Sequence, residues 1–150
     1  MLGASLVALA QEQGREVVGL YHRHLLNLPG ARLLAVDLTD ESETRRIFKE
    51  LKPASVIHCA AQTNVDWCEE NPSEAHRSNV TASARLAEIT AQLKARFLYV
   101  STDSVFDGNR GNYAENDQPA PLNVYAQTKL QGEREALGRN PLYAFGMIFV

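Results

Sequence analysis

The segment Tyr125-Ala126-Gln127-Thr128-Lys129 contains the residue types of a proton-transfer site. Residues four apart on a helix lie on one face, so Lys129 is expected beside the phenol of Tyr125. A nearby ammonium stabilises the ionised form of a tyrosine and so lowers the tyrosine pKa. The neutral phenol can then pass its proton to a carbonyl oxygen while hydride reaches the carbon. The same ammonium can bind a cofactor ribose. The spacing alone is a weak signal, because such pairs also occur on solvated helix faces.

A second candidate segment follows an apolar strand that is predicted to end at Val100. The next residues are Ser101, Thr102 and Asp103. Ligands of open parallel sheets bind beyond the carboxyl ends of the strands, which predicts that these hydroxyl groups face the cleft. Thr102 is then placed to polarise a carbonyl beside Tyr125. The alternative is that Thr102 forms a turn or caps a helix.

An earlier predicted strand ends in the run His58-Cys59-Ala60-Ala61. Its small side chains permit close approach of a flat cofactor ring, or else tight packing of strand against helix. For His58 we favour a local hydrogen bond at the strand end over an acid or base role. Cys59 and Cys68 are the two cysteines and do not form a C-x-x-C motif. We expect two reduced thiols rather than a disulfide or a metal pair, and we assign no metal site.

Helical and strand-like patterns alternate along the chain, which predicts an α/β domain with a parallel sheet. Asp40 is expected to cap a helix, and Gly14 to end one. The predicted helices are 2–13, 41–51, 73–93 with a short helical turn before it, and 124–137. The predicted strands are 17–21, 33–36, 55–59, 97–100 and 142–150, and a Gly- and Asn-rich loop covers 107–121.

The composition excludes several classes of protein. The chain has 150 residues, 45% of them hydrophobic, and a net charge of -3, which gives no sign of nucleic-acid binding. No apolar run approaches the ~20 residues of a membrane span, and no signal peptide is evident at the N-terminus. We therefore expect a cytoplasmic protein that binds neither nucleic acid nor membrane.

The N-terminal residues indicate an incomplete dinucleotide-binding domain. Such a domain opens with a strand and a Gly-rich turn, whereas here the first helix begins almost at Met1. Gly3 corresponds to the last glycine of that turn. We expect the first strand to be missing between the strands at 17–21 and 55–59, so that either these two close the gap or an unpaired edge remains. Dinucleotide binding by these 150 residues is expected to be weak, because the turn supplies N–H groups to the pyrophosphate.

Four segments together resemble the extended short-chain dehydrogenases/reductases, and most closely the dTDP-4-dehydrorhamnose reductases. They are 58–66 with Glu69, Asn79-Val80, 100–108 and 121–133. The resemblance implies a Rossmann-like, doubly wound parallel sheet that binds NADPH or NADH and a nucleotide-sugar substrate, and it allows a homodimer. Ser104 stands where the family usually has tyrosine, and 142–150 lacks the Arg-Thr pair expected near its strand.

The resemblance also implies roles for individual residues. Tyr125 is expected to be the general acid, Lys129 to bind the nicotinamide ribose and tune Tyr125, and Thr102 to complete the catalytic trio, with Ser101 as the alternative. Asn79 resembles the family's structural asparagine. The residues expected along the cofactor are Asp37, Leu38, Ala60, Ala61, Thr63 and Lys129. The expected substrate neighbours are Val65, Asp103 and Val105.

The choice of cofactor depends on the segment Tyr21-His22-Arg23-His24 at the end of the second strand of such a domain. An acidic residue there would bind the ribose hydroxyls and favour NAD. Arg23 can instead pair with a 2′-phosphate in a bidentate way, which favours NADPH. The alternative is a solvated basic turn.

These features predict NAD(P)H-dependent reduction of the 4-keto group of a dTDP-6-deoxy-hexulose, in dTDP-rhamnose and cell-surface polysaccharide synthesis. One alternative is a non-catalytic, nucleotide-binding regulatory subunit resembling that of methionine adenosyltransferase. Another alternative is an epimerase or dehydratase that acts on a nucleotide sugar.

Overall fold

The computed structural model describes residues 2–24, 27–114 and 116–148, and it has the predicted α/β architecture with parallel strands. The helices are α1 (Leu2–Glu12), α2 (Glu41–Leu51), α3 (Val65–Glu70), α4 (Pro72–His76), α5 (Ala82–Gln92) and α6 (Val124–Arg139). The strands are β1 (Val18–Tyr21), β2 (Arg32–Ala35), β3 (Ser55–His58), β4 (Arg96–Thr102) and β5 (Tyr143–Ile148). A π-helical turn covers Arg77–Thr81, and a 3₁₀ turn covers Asp103–Val105.

Local sequence signals account for the helix ends. Gly14 takes a left-handed φ of +65° after α1, which a residue with a side chain adopts only with strain. Asp40 caps α2 as predicted, since its Oδ1 accepts from the backbone N of Glu43 at 3.0 Å. Asn123 does the same for α6, where its Oδ1 accepts from Ala126 N at 2.8 Å.

The strands form two parallel sheets. Strands β1 and β2 pair in one sheet, and β3, β4 and β5 pair in that order in the other. Within the described residues no hydrogen-bonded pairing joins β1 to β3, so the gap expected between these strands stays open. Ile57, in β3, is 50% exposed, which shows that one face of this strand is only partly covered.

The helix predicted over 73–93 is divided into α4, the π-helical turn and α5. A π-helical turn places one extra residue in the turn and is common where a side chain has a special role. Asn79 lies in this turn and is 1% exposed. The prediction missed the division because the apolar periodicity continues through it.

The strand at the centre of the second sheet is longer than predicted. β4 continues through Ser101 and Thr102, whereas the apolar pattern predicted an end at Val100. Both hydroxyl residues pair with β5, opposite Met147 and Ile148, and this tertiary pairing extends the strand.

The main core lies between the three-stranded sheet and helices α2, α5 and α6. Its buried members are Phe48, Leu86, Ala87, Ile89, Phe97, Tyr99 and Ala136. Helix α2 is tied to α5 by Arg45, whose Nη2 donates to Glu88 Oε1 at 2.9 Å. Among the described residues no helix is both long and apolar enough to cross a bilayer.

Candidate active site

The start of α6 is held by two independent acceptors. Beside the Asn123 cap, Glu69 Oε1 accepts from the backbone N of Val124 at 2.7 Å. Glu69 belongs to α3, so this bond ties the first turn of α6 to another element. Tyr125 lies in that turn and is half-buried.

Lys129 lies one turn beyond Tyr125 and is only 4% exposed. Its Nζ donates to the carbonyl oxygen of Val100 at 2.7 Å, and it lies 4.1 Å from the centroid of the Tyr99 ring. Burial lowers the pKa of Lys129 to about 8, against the opposing effects of Glu133 and Cys59. The ammonium is thus held at the carboxyl end of β4, and its tuning of Tyr125 stays a prediction.

The end of β4 carries two buried hydroxyl groups. Thr102 Oγ1 accepts from Ser104 N at 3.2 Å and caps the 3₁₀ turn, as in the alternative role considered for it. Ser101 is 4% exposed, and its Oγ has no hydrogen-bond partner among the described residues. A buried hydroxyl without a partner is uncommon and marks a place where a ligand or water can bind.

His58 makes a hydrogen bond, as favoured from the sequence, but its partner is on α5, 25 residues away, and is not local. Its Nε2 lies 3.0 Å from Ser83 Oγ, and its ring contacts those of Phe97 and Tyr99. Burial, reinforced by the nearby Lys129 charge, lowers the pKa of His58 to about 3. The imidazole is therefore neutral near pH 7 and is enclosed away from solvent.

Asn79 connects the loop after β3 to helix α6. Its Oδ1 accepts from Gln62 N at 2.8 Å, while its Nδ2 donates to Gln62 O and to Thr128 Oγ1, each at 3.0 Å. Thr128 Oγ1 in turn donates to the carbonyl of Tyr125 at 2.8 Å. This is a structural role, as the resemblance implies. It fixes the position of α6 relative to the loop after β3.

The residues expected along the cofactor follow the ends of β2 and β3. Ala60 and Thr63 are exposed, and Ala61 is half-buried. Gly3, at the start of α1, lies against this edge, since a Cβ built on it would be 3.6 Å from Cys59 Cβ. Both strand ends belong to the carboxyl edges of parallel strands, where ligands of such sheets bind.

Asp37 follows β2, and its Oδ1 accepts from Thr39 N and Thr39 Oγ1 at 2.9 and 2.7 Å. Burial alone would raise the pKa of Asp37, but the Thr39 hydrogen bonds and the nearby His22 hold it below its ordinary value. His22 Nε2 lies 3.6 Å from Asp37 Oδ2. Leu38 packs against the main core, and Arg23 is exposed after β1.

The three expected substrate neighbours differ in exposure. Val65 is 39% exposed at the start of α3, and Asp103 lines an open cleft of about 630 Å³. Val105 is 1% exposed and packs with Phe106 and Leu130, so its side chain is enclosed in the structure. Contacts of these residues with a substrate stay predictions.

Most of the residues that line this cleft were not predicted from the sequence. They come from the loop after β4 and include Asp107, Arg110, Asn112, Tyr113, Leu122 and Asn123. In the loop Tyr113 stacks on Phe106 with centroids 4.4 Å apart, and its hydroxyl donates to Asp107. A long Gly- and Asn-rich loop after the carboxyl end of a parallel strand was the available signal.

Comparison with known proteins gives one family. The model of the RmlD substrate binding domain matches residues 1–144. The probable low-salt glycan biosynthesis reductase Agl14 of Haloferax volcanii is 40% identical over 94% of this chain and 47% of its own length. Methionine adenosyltransferase 2 subunit beta of Xenopus laevis is 42% identical over 73% of this chain and 33% of its own.

Solved structures show the same fold. A hypothetical dTDP-4-dehydrorhamnose reductase from Sulfolobus tokodaii superposes with a TM-score of 0.85 at 30% identity, over 97% of this chain and 53% of its own. The dTDP-4-dehydrorhamnose reductase of Bacillus anthracis in complex with NADP superposes with a TM-score of 0.75 at 30% identity, over 79% of this chain and 44% of its own. MoeE5 in complex with UDP-glucuronic acid and NAD superposes with a TM-score of 0.85 at 31% identity, over 97% of this chain and 50% of its own. The chain spans about half the length of these proteins or less.

Proposed function

Since the chain belongs to the RmlD family, we propose that it serves the NAD(P)H-dependent reduction of the 4-keto group of a dTDP-6-deoxy-hexulose, in dTDP-rhamnose synthesis. The observation that carries this proposal is the buried Lys129 ammonium at the carboxyl end of β4. Lys129 lies one helical turn from Tyr125, and its ammonium donates to the carbonyl of Val100, which is two residues before Thr102. At the coarser level, membership of this family and the structural relatives that bind NAD or NADP support a sugar-nucleotide reductase or epimerase.

The residues at the strand ends fit a dinucleotide. Gly3, Ala60 and Ala61 present little side-chain bulk at the edge beside β3, and Lys129 supplies a cation for a ribose hydroxyl. Reduced nicotinamide provides the hydride for such a reduction. Structural relatives crystallised with NADP and with NAD support both forms of the cofactor, and Arg23 favours NADPH.

In the proposed reaction the carbonyl carbon gains a hydride and its oxygen gains a proton. Tyr125 donates that proton from its phenol, and the resulting phenolate is stabilised by the Lys129 charge until solvent reprotonates it. Thr102 Oγ1 donates a hydrogen bond to the same carbonyl oxygen when its O–H turns away from Asp103 and Ser104 Oγ, while its lone pair still accepts from Ser104 N. Ser101 is the alternative donor, because its Oγ is buried and has no partner in the part of the chain that the structure describes.

Tyr125→Phe tests this function. The protein is incubated with a dTDP-4-keto-6-deoxy-hexose and millimolar NADPH, so that weak dinucleotide binding does not hide turnover, and the sugar product is identified. We expect reduction by the unchanged protein and a loss of at least about 100-fold in Tyr125→Phe. Tyr143→Phe, at the amino end of β5 and away from the carboxyl ends of the strands, is the matched control and keeps the activity. Equal turnover by Tyr125→Phe contradicts the assignment, and an epimerised or dehydrated product favours that alternative chemistry.

A second candidate function is a non-catalytic regulatory subunit. It is favoured by the 42% identity to methionine adenosyltransferase 2 subunit beta over 73% of the chain. In that case the protein binds nucleotide and a partner enzyme without reducing a sugar. Stable capture of a methionine adenosyltransferase catalytic subunit, together with no keto-sugar reduction, selects this candidate. A cytoplasmic location and a homodimer stay predictions.

A further inference from the structure

Tyr99 contacts Lys129 at both ends of the lysine. The Tyr99 hydroxyl donates to the backbone carbonyl of Lys129 at 3.1 Å, and the Lys129 ammonium lies over the Tyr99 ring at 4.1 Å from its centroid. Tyr99 is completely buried, so its ring has one fixed position. A single side chain therefore contacts both the backbone carbonyl and the charged end of Lys129.

The ammonium has few other partners. Its hydrogen bond within the described residues goes to the Val100 carbonyl, and Lys129 is 4% exposed. An ammonium removed from water is costly unless other groups replace the lost hydration. A ring face provides such a replacement, and cation–π attraction is strongest for a desolvated cation.

We propose that Tyr99 is a positioning residue for Lys129: its ring holds the ammonium in its charged form at the end of β4. The inference rests on the proposed function, in which this ammonium binds a ribose hydroxyl. The closing experiment measures the lysine itself, so it gives a result whether or not a sugar is reduced.

The other titratable groups around Lys129 are Tyr125, one turn earlier on α6, and three groups from α6 and the end of β3. Glu133 lies one turn further along α6, Cys59 follows β3, and His58 lies at the end of β3. Glu133 and Cys59 raise the pKa of Lys129 while burial lowers it, and neutral His58 adds no charge. The Tyr99 phenol stays protonated because burial raises its pKa.

The experiment uses the lysines of the chain as internal references. The protein has four lysines, and Lys49, Lys52 and Lys94 are exposed whereas Lys129 is buried. Protein labelled with ¹³C in lysine is titrated by NMR, and the ε-carbon and its protons are followed for each residue. In the unchanged chain we expect the Lys129 ε-protons to be shifted upfield by the Tyr99 ring and to titrate near pH 8.

Two substitutions separate the ring from the hydroxyl. Tyr99→Phe keeps the ring face, and we expect it to keep the upfield shift and the Lys129 pKa. Tyr99→Leu removes the ring, and we expect the upfield shift to disappear and the pKa of Lys129 to fall by about one unit. Tyr99→Met replaces Tyr99→Leu if the leucine variant does not fold, since methionine fills irregular space.

The outcomes are distinct. Loss of the upfield shift with a lower Lys129 pKa in the Leu or Met variant, but not in Tyr99→Phe, supports the proposal. An unshifted Lys129 signal in the unchanged chain overturns it, as does an unchanged or raised pKa without the ring. Equal effects of Phe and Leu also overturn it, because the helix and not the ring would then control the charge. Failure of the proposed function appears separately, as absent keto-sugar reduction beside a normal Lys129 titration.

Discussion

Gly132 lies so close to Asn79 that no side chain fits between them. A Cβ built on Gly132 would be 2.3 Å from the carbonyl oxygen of Asn79 and 2.8 Å from the Tyr99 hydroxyl. Helix α6 thus approaches the π-helical turn at backbone contact. The same close packing brings Thr128 to the Asn79 side chain and the Lys129 carbonyl to the Tyr99 hydroxyl. The packing of this candidate catalytic helix therefore requires glycine at position 132.

Gly132→Ala is expected to destabilise the protein. The contact at 2.3 Å is with backbone, which cannot rotate away, so α6 must shift and lose its bonds to Asn79 and Tyr99. Overpacking of this kind costs roughly 1–3 kcal/mol of unfolding free energy. Urea denaturation followed by circular dichroism measures it.

Gly138→Ala is the matched control, because Gly138 lies in the same helix and a Cβ there has nothing within 4 Å. Alanine has the higher helix propensity, so this variant is expected to be neutral or up to about 1 kcal/mol more stable. Equal unfolding free energies for the two variants would show that the close approach of α6 to Asn79 does not exclude a side chain at position 132.

His58 is expected to make stability depend on pH on the acid side. Its folded pKa, about 3, lies below its ordinary value of 6.5, so the unfolded chain takes up the proton first. The contribution of neutral His58 to the unfolding free energy is fully present above pH 6.5, and it is lost as the pH falls from 6.5 towards 3. Between pH 6.5 and about 4.5 the loss amounts to roughly 2–3 kcal/mol.

The measurement compares unfolding free energies across that pH range in the protein and in His58→Gln, whose amide can still bond to Ser83 without titrating. The difference between the two profiles isolates His58 from the carboxylates. His76→Gln serves as the control, since His76 is exposed. Parallel profiles for the protein and His58→Gln would mean that the imidazole is not held neutral.

Arg23 is expected to select NADPH over NADH. Its guanidinium is exposed just beyond the carboxyl end of β1, where it can form two hydrogen bonds with a 2′-phosphate. Arg23→Ala should weaken NADPH binding by about tenfold or more and leave NADH binding unchanged. Fluorescence titration with each cofactor provides both dissociation constants.

Arg32→Ala removes the same charge at the opposite end of this sheet, because Arg32 begins β2. It is expected to affect neither cofactor. If the two arginine variants weaken NADPH equally, net charge rather than a specific contact is responsible. If neither weakens it, the segment after β1 is a solvated basic turn.

Most of the element order was predictable from sequence because it depends on local patterns. The cap at Asp40 and the stop at Gly14 lie within a few residues of the helices that they bound, and both agree with the structure. The β4 end at Thr102 was not predictable in this way, because pairing with β5 extends it and β5 lies some forty residues further along the chain.

The candidate site divides in the same manner. Sequence alone determined that Tyr125 and Lys129 share a helix face, because a spacing of four residues is enough to specify it. Only the tertiary structure decided where the ammonium goes, since Tyr99 and Lys129 are 30 residues apart and meet through the packing of α6 on β4. Asn79 and Thr128 are 49 residues apart and meet for the same reason. Local spacing specifies which residues share a face, whereas the partners of a buried charge depend on how separate elements pack together.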